Sequence, residues 1–168
     1  MRRTGLMAVT TAALIALTGG PAFASSPEPW EPAPSSPVTA PAGTRCDFAV
    51  RLEPIIDDVQ RRVLERHPDG SVKREEYKGP LVDRVTNLDT GDSIEVNISG
   101  HAFVDYHSDG SFTWTWDGPV LMGFGAGQSN HAPGLYVLTG EYEVHFADGN
   151  RTVRRADGTE QDLCAALS

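Results

Sequence analysis

The sequence predicts an all-β domain: an antiparallel meander closing into a barrel or barrel-like sandwich, its first and last elements tied by a disulfide. Three observations predict it. Asp-Gly recurs in four turn-like stretches, "HPDGS" (67–71), "HSDGS" (107–111), "FADGN" (146–150) and "RADGT" (155–159). Glycine takes positive φ there without steric cost, which makes the pair a strong hairpin signal. The segments between the turns alternate apolar and polar residues with the period of a half-buried strand. Finally, the only two cysteines, Cys46 and Cys164, stand at the two ends of this region.

The chain opens on "MRRTGLMAVTTAALIALTGGPAFASS": Arg2 and Arg3, a small and apolar run centred on "AALIAL", then "AFA" before Ser25. This is the layout of a secretory signal peptide, residues 1–24, cleaved after Ala24. The run is too short to span ~30 Å of hydrocarbon comfortably at about 1.5 Å per residue. No lipid-attachment cysteine and no apolar C-terminal tail accompany it, so a soluble, extracellular protein without a membrane anchor is expected. Loss of Arg2 and Arg3 takes the formal charge from −9 to −11. An acidic chain without a basic cluster is a poor partner for nucleic acid, because phosphate contacts supply most of such affinity. Anionic membranes are disfavoured for the same reason.

Residues 25–44, "SSPEPWEPAPSSPVTAPAGT", carry six of the twelve prolines and hardly any aliphatic side chains. Such a stretch buries too little apolar surface to offset its ordering entropy, so a disordered, extended leader is expected. Trp30 is out of place in a pure spacer. A single domain then runs from 45 to 168. In an exported protein, two cysteines and no others read as one disulfide, Cys46 to Cys164.

Within the domain, "EPIIDDVQRRVLERH" (53–67) is ambiguous. Leu52, Ile55, Ile56, Val59 and Val63 fall at helical spacing, whereas a strand over 59–67 would pair through the His67-Pro68-Asp69-Gly70 turn with "SVKREEY". "SIEVNISGHAFVDYH" (93–107) reads as one long strand. Ile94, Val96, Ile98, Ala102, Val104 and Tyr106 lie on one face, and Gly100 permits a bend. Two registers are open for the hairpin that follows. A three-residue Ser108-Asp109-Gly110 loop sets Trp114 beside Val104 and Trp116 beside Ala102, like against like. That register is expected, with the tryptophans inward and Thr113 and Thr115 facing solvent. "GFGAGQSNHAPG" (123–134) reads as a lid or rim loop, and "LYVLTGEYEVHF" (135–146) as a further strand.

The run "CDFAV", then "GPLVDRVTNLDTGDSIEVNISG", a hairpin and the closing "DLCAALS" resembles a group of small secreted actinobacterial proteins with one terminal cysteine pair and no assigned function. The resemblance covers residues 46–168. It implies an all-β domain in the calycin style, and a strand over 59–67. It carries no catalytic residues with it.

Chemistry-bearing patterns are weak. His101, Asp105 and His107 share a strand face, but on a strand they span ~20 Å, too far for one ion. Glu141, Glu143 and His145 alternate as any outer face does. The 123–134 loop lacks the lysine of a phosphate loop, and "GQSNHAP" is not a nucleophile elbow. No catalytic residues, metal ligands or cofactors are therefore assigned. Three functions remain: a barrel binding a small apolar ligand inside, lined by Tyr106, Trp114, Trp116, Tyr136 and Tyr142; an extracellular interaction module with a filled interior; and, last, an enzyme using the 123–134 loop.

Overall fold

The "HPDGS" and "HSDGS" turns fold alike. In each, the histidine N–H donates to the serine carbonyl, and the glycine N–H donates to the histidine carbonyl. Gly70 and Gly110 take φ of +88° and +85°, and Asp69 and Asp109 accept from the serine N–H at 2.9 and 3.0 Å. These three-residue loops set the register of the hairpins beside them. Trp116 pairs with Ala102, Trp114 with Val104 and Phe112 with Tyr106, the arrangement expected from sequence.

The structure, a computed structural model, describes residues 26–168. The segment read as a signal peptide, 1–24, lies outside the described residues. The rest is an all-β domain of two antiparallel sheets. The larger runs in the order β1 (Glu31–Pro32), β4 (Gln60–Arg66), β5 (Val72–Lys78), β8 (His101–Tyr106), β9 (Phe112–Asp117), β11 (Gly134–Ala147) and β10 (Pro119–Phe124). Its eighth strand, β12 (Asn150–Asp162), lies along the length of β11. The smaller sheet runs β2 (Val38–Ala40), β3 (Val50–Asp57), β6 (Leu81–Asn87), β7 (Ser93–Asn97). Neither sheet closes on itself. Inner faces of the two meet instead in a shared core: Phe48, Val50, Val85, Val96 and Ile98 against Leu135, Val137, Leu163 and Leu167. One short helix, α1 (Leu163–Ala166), is capped by Asp162, whose Oδ1 accepts from the Cys164 and Ala165 N–H groups at 2.9 and 3.1 Å. Cys164 is disulfide-bonded to Cys46, with the two Cα atoms 5.3 Å apart.

Several expectations are corrected here. Residues 93–107 are two strands, not one: β7 belongs to the small sheet and β8 to the large one. The crossing falls at Gly100, where a Cβ would press on the Pro119 carbonyl. The alternation still holds on both sides of the crossing, because a kink of this kind moves the strand without reversing its inner face. The strand that the resemblance implied over 59–67 is present as β4, whereas the helical spacing of 53–67 is not realised, because the chain leaves β3 and changes sheets here too. Asp57 Oδ1 accepts from the Val59 N–H at 3.1 Å, and the Asp58 N–H reaches the Pro80 carbonyl at 2.9 Å. The helix-like stripe fails because Ile55 and Ile56 are exposed, and a register shift beside them breaks the strand pattern.

"RADGT" is not a turn. Asp157-Gly158 lies inside β12, with Gly158 opposite Gly140 of β11. A Cβ on Gly158 would collide with the Thr139 carbonyl, and one on Gly140, at φ +123°, with Asp157. The glycines serve close backbone approach, not reversal. Gly158→Ala should therefore destabilise the domain by more than about 1 kcal/mol, beyond the usual glycine-to-alanine gain, as a shift in urea midpoint would show.

Residues 26–44, expected as a disordered leader, are extended but laid along the domain. Glu31 and Pro32 pair with Arg61 and Gln60 on the large sheet, and Val38, Thr39 and Ala40 with Leu52, Arg51 and Val50 on the small one. Trp30 supplies the reason. Its ring lies under the Arg62 guanidinium, 4.5 Å from the centroid, and the Lys78 ammonium, 4.2 Å away, and each such cation–π contact is worth about 0.5–1 kcal/mol at an exposed site.

Candidate functional site

Four connections pass from one sheet to the other at the same corner: β1 to β2, β3 to β4, β5 to β6, and β7 to β8. Side chains cannot fill the space where strands diverge in this way, and a cavity of about 520 Å³ opens there. Leu52, Pro54, Leu81 and Ile98 form one wall, and Ala102, Val104, Trp114, Val120 and Leu121 the other. Ser35, Ser36 and Val38 of the proline-rich segment form part of the rim. This segment is held there by the Ser35 N–H donating to Asp57 Oδ2 at 2.6 Å. Small-molecule sites are commonly concave, mostly apolar spaces of about 300–1,000 Å³ holding a few polar groups.

One carboxylate interrupts the apolar lining. On β6 the inward residues are Leu81, Asp83, Val85 and Asn87, so strand alternation carries Asp83 inward with its apolar neighbours. Its cross-strand partners are Pro54 and Val96. Neither side chain has a donor. Asp83 is 7% exposed, and its Oδ1 has no hydrogen-bond partner among the described residues. Burial, with the nearby Asp57 carboxylate, pushes the Asp83 carboxyl above the usual aspartate range. The folded chain thus holds this proton more tightly than the unfolded chain does, so ionisation of Asp83 costs stability as pH rises through and above about 3.9, the ordinary aspartate value. Asp83→Asn, neutral and of similar size, should raise the thermal midpoint at neutral pH. The gain should vanish below the ordinary aspartate value, where wild type is neutral in both states.

Of the five aromatic residues expected to line an interior, Trp114, Trp116, Tyr136 and Tyr142 gather in or against one core cluster, and Tyr106 lies outside it. Trp114 alone lines the cavity. Trp116 and Tyr142 stack at 5.5 Å in a cluster with Met122, Phe124, Tyr136, Leu138 and Val144, against which Ala102, Trp114 and Val120 of the cavity wall pack. Tyr136 packs against Phe124 and His131 and donates to the Pro133 carbonyl at 3.2 Å. Tyr106 donates to Glu75 Oε2 at 2.9 Å, beside Tyr77 at 2.8 Å, while Arg61 reaches Oε1 at 3.3 Å. This network satisfies a carboxylate buried between Val63 and Val104. Burial first, then the Glu75 carboxylate, raises the Tyr106 phenol far above its usual range.

Thr113 is buried rather than facing solvent. His107 Nε2 and His145 Nδ1 close over its hydroxyl at 3.0 and 3.1 Å. Two imidazole rings on neighbouring strands shield what alternation alone placed outside. His101 and Asp105 have other partners, Glu76 at 2.7 Å and Arg74 at 3.6 Å. No three histidine, cysteine or acidic side chains among the described residues are grouped to hold a metal ion.

The 123–134 loop lies away from the cavity and is stapled to β12. Asn130 exchanges two hydrogen bonds with the Val153 backbone, at 2.8 and 2.9 Å. The His131 ring stacks on Phe124, with its Nε2 3.0 Å from Glu160. The rim role expected of this loop falls instead to residues 35–38. Sequence reasoning also missed Asp83, although an acid at an inward position of "LVDRVTN" was a legible signal. No protein-family model, curated protein or solved structure matches the chain.

Proposed function

We propose that this chain is an exported, non-enzymatic carrier that holds one small apolar ligand in the cavity between its two sheets. The cavity carries the reading: a space of about 520 Å³ with apolar walls from both sheets. In this reading the two open sheets act as the barrel-like container expected from sequence. The signal-peptide pattern and the disulfide are consistent with an extracellular setting, where disulfides persist. The likeness to secreted actinobacterial proteins points the same way.

Titration with dodecanol should shift Trp emission saturably, because Trp114 lines the space. Ala102→Leu, which adds bulk to the wall, should weaken the response at least tenfold with little change in stability. Native mass spectrometry of protein isolated gently from its own medium should show a bound small molecule. An unresponsive, empty protein would instead favour an interaction module that uses its outer faces.

A further inference from the structure

Resting on the cavity reading above, we infer that the ligand is an amine: an apolar body bearing a single ammonium, which seats on the unpartnered Oδ1 of Asp83. A buried acid without a partner is costly, and native structures rarely keep one without a reason. Asp83 lines the cavity while its neighbours along β6 and across to β3 and β7 are apolar. A bound group with a donor would complete it.

The charge around Asp83 selects among donors. Asp57 lies close enough to raise it, and the oxygens of Asp57 are already occupied by the Ser35 and Val59 N–H groups. The Asp83 carboxylate in the lining, with Asp57 nearby, favours a cation over a neutral hydroxyl, and both acids repel a carboxylate. Lys78 and Tyr77 also reach the lining, but neither competes for Asp83. The Lys78 ammonium sits over Trp30, and the Tyr77 hydroxyl donates to Glu75. The lone acid among apolar walls is suited to an organic cation, since a metal ion needs several ligands. Residues 35–38 at the rim, tethered through Asp57, then cover the head-group end of the site.

The test uses three probes of equal chain length, dodecylamine, dodecanol and dodecanoate, titrated below their micelle-forming concentrations into the intact protein at neutral pH and followed by Trp emission and calorimetry. Dodecylamine should bind about 10–100-fold more tightly than dodecanol, the range of a charge-assisted hydrogen bond, and dodecanoate more weakly than either. In Asp83→Asn the amine's advantage should disappear while dodecanol affinity stays within about twofold, which also shows that the variant is folded. Equal binding of amine and alcohol by wild type, or an amine preference that survives Asp83→Asn, would overturn the amine assignment and leave the cavity reading intact. Failure of all three probes would overturn both.

Discussion

Truncating Trp116 to alanine should cost about 3–5 kcal/mol, the range of large aromatic deletions in cores. Its side chain is almost wholly enclosed, stacked on Tyr142 and packed with Met122, Leu138 and Val144. Little can collapse into the space, because Tyr142 is itself held by its hydroxyl to the Thr159 carbonyl at 3.3 Å. Trp114→Ala should cost clearly less, since that indole is only half-buried and already borders a cavity. Thr113→Ala should cost about 1 kcal/mol, because it strips the shared partner from His107 and His145. Urea midpoints of the three variants give the ranking directly. Equal losses at 114 and 116 would show that the cavity side of the sheet is packed more tightly than its walls indicate.

Opening the Cys46–Cys164 bond should cost a further large amount, close to 4.7 kcal/mol in the chain-entropy treatment of a loop of about 100 residues. The bridge spans 118 positions, nearly the whole domain. It fastens the segment between β2 and β3 to α1, and Leu163 of this helix and Leu167 just after it plug the shared core beside Phe48 and Val85. The Cys46→Ala/Cys164→Ala double variant should therefore lose the helix contact first. It should show exchange of the 163–167 amides well before global unfolding, together with a lowered urea midpoint. Unreduced native protein should not react with a thiol reagent, and labelling of both cysteines would refute the pairing.

The sequence by itself determined the all-β class, the disulfide, the hairpin register and the inner faces. Each depends on local chemistry. An Asp-Gly loop of fixed length dictates which residues face across a hairpin, so Trp114 met Val104 and Trp116 met Ala102 without long-range information. Two cysteines with no competitors admit one pairing. What only the tertiary structure decided is where strands leave one sheet for the other, and this places the cavity. Gly100 announced a bend but not its destination, because a bend within a sheet and a crossing between sheets demand the same backbone freedom. The 157–158 Asp-Gly pair looked like its three counterparts, yet β11 had already supplied a long partner edge, and pairing along that edge outweighed the local turn preference. Trp30 was unexplained until Arg62 and Lys78, distant in sequence, were found over its ring. Asp83 is the sharpest case: alternation placed it inward, but only the surrounding Pro54, Val96 and open space reveal that nothing among the described residues answers its Oδ1. A strand's period is set by its own backbone, whereas burial and satisfaction of a side chain depend on what packs against it from elsewhere in the chain.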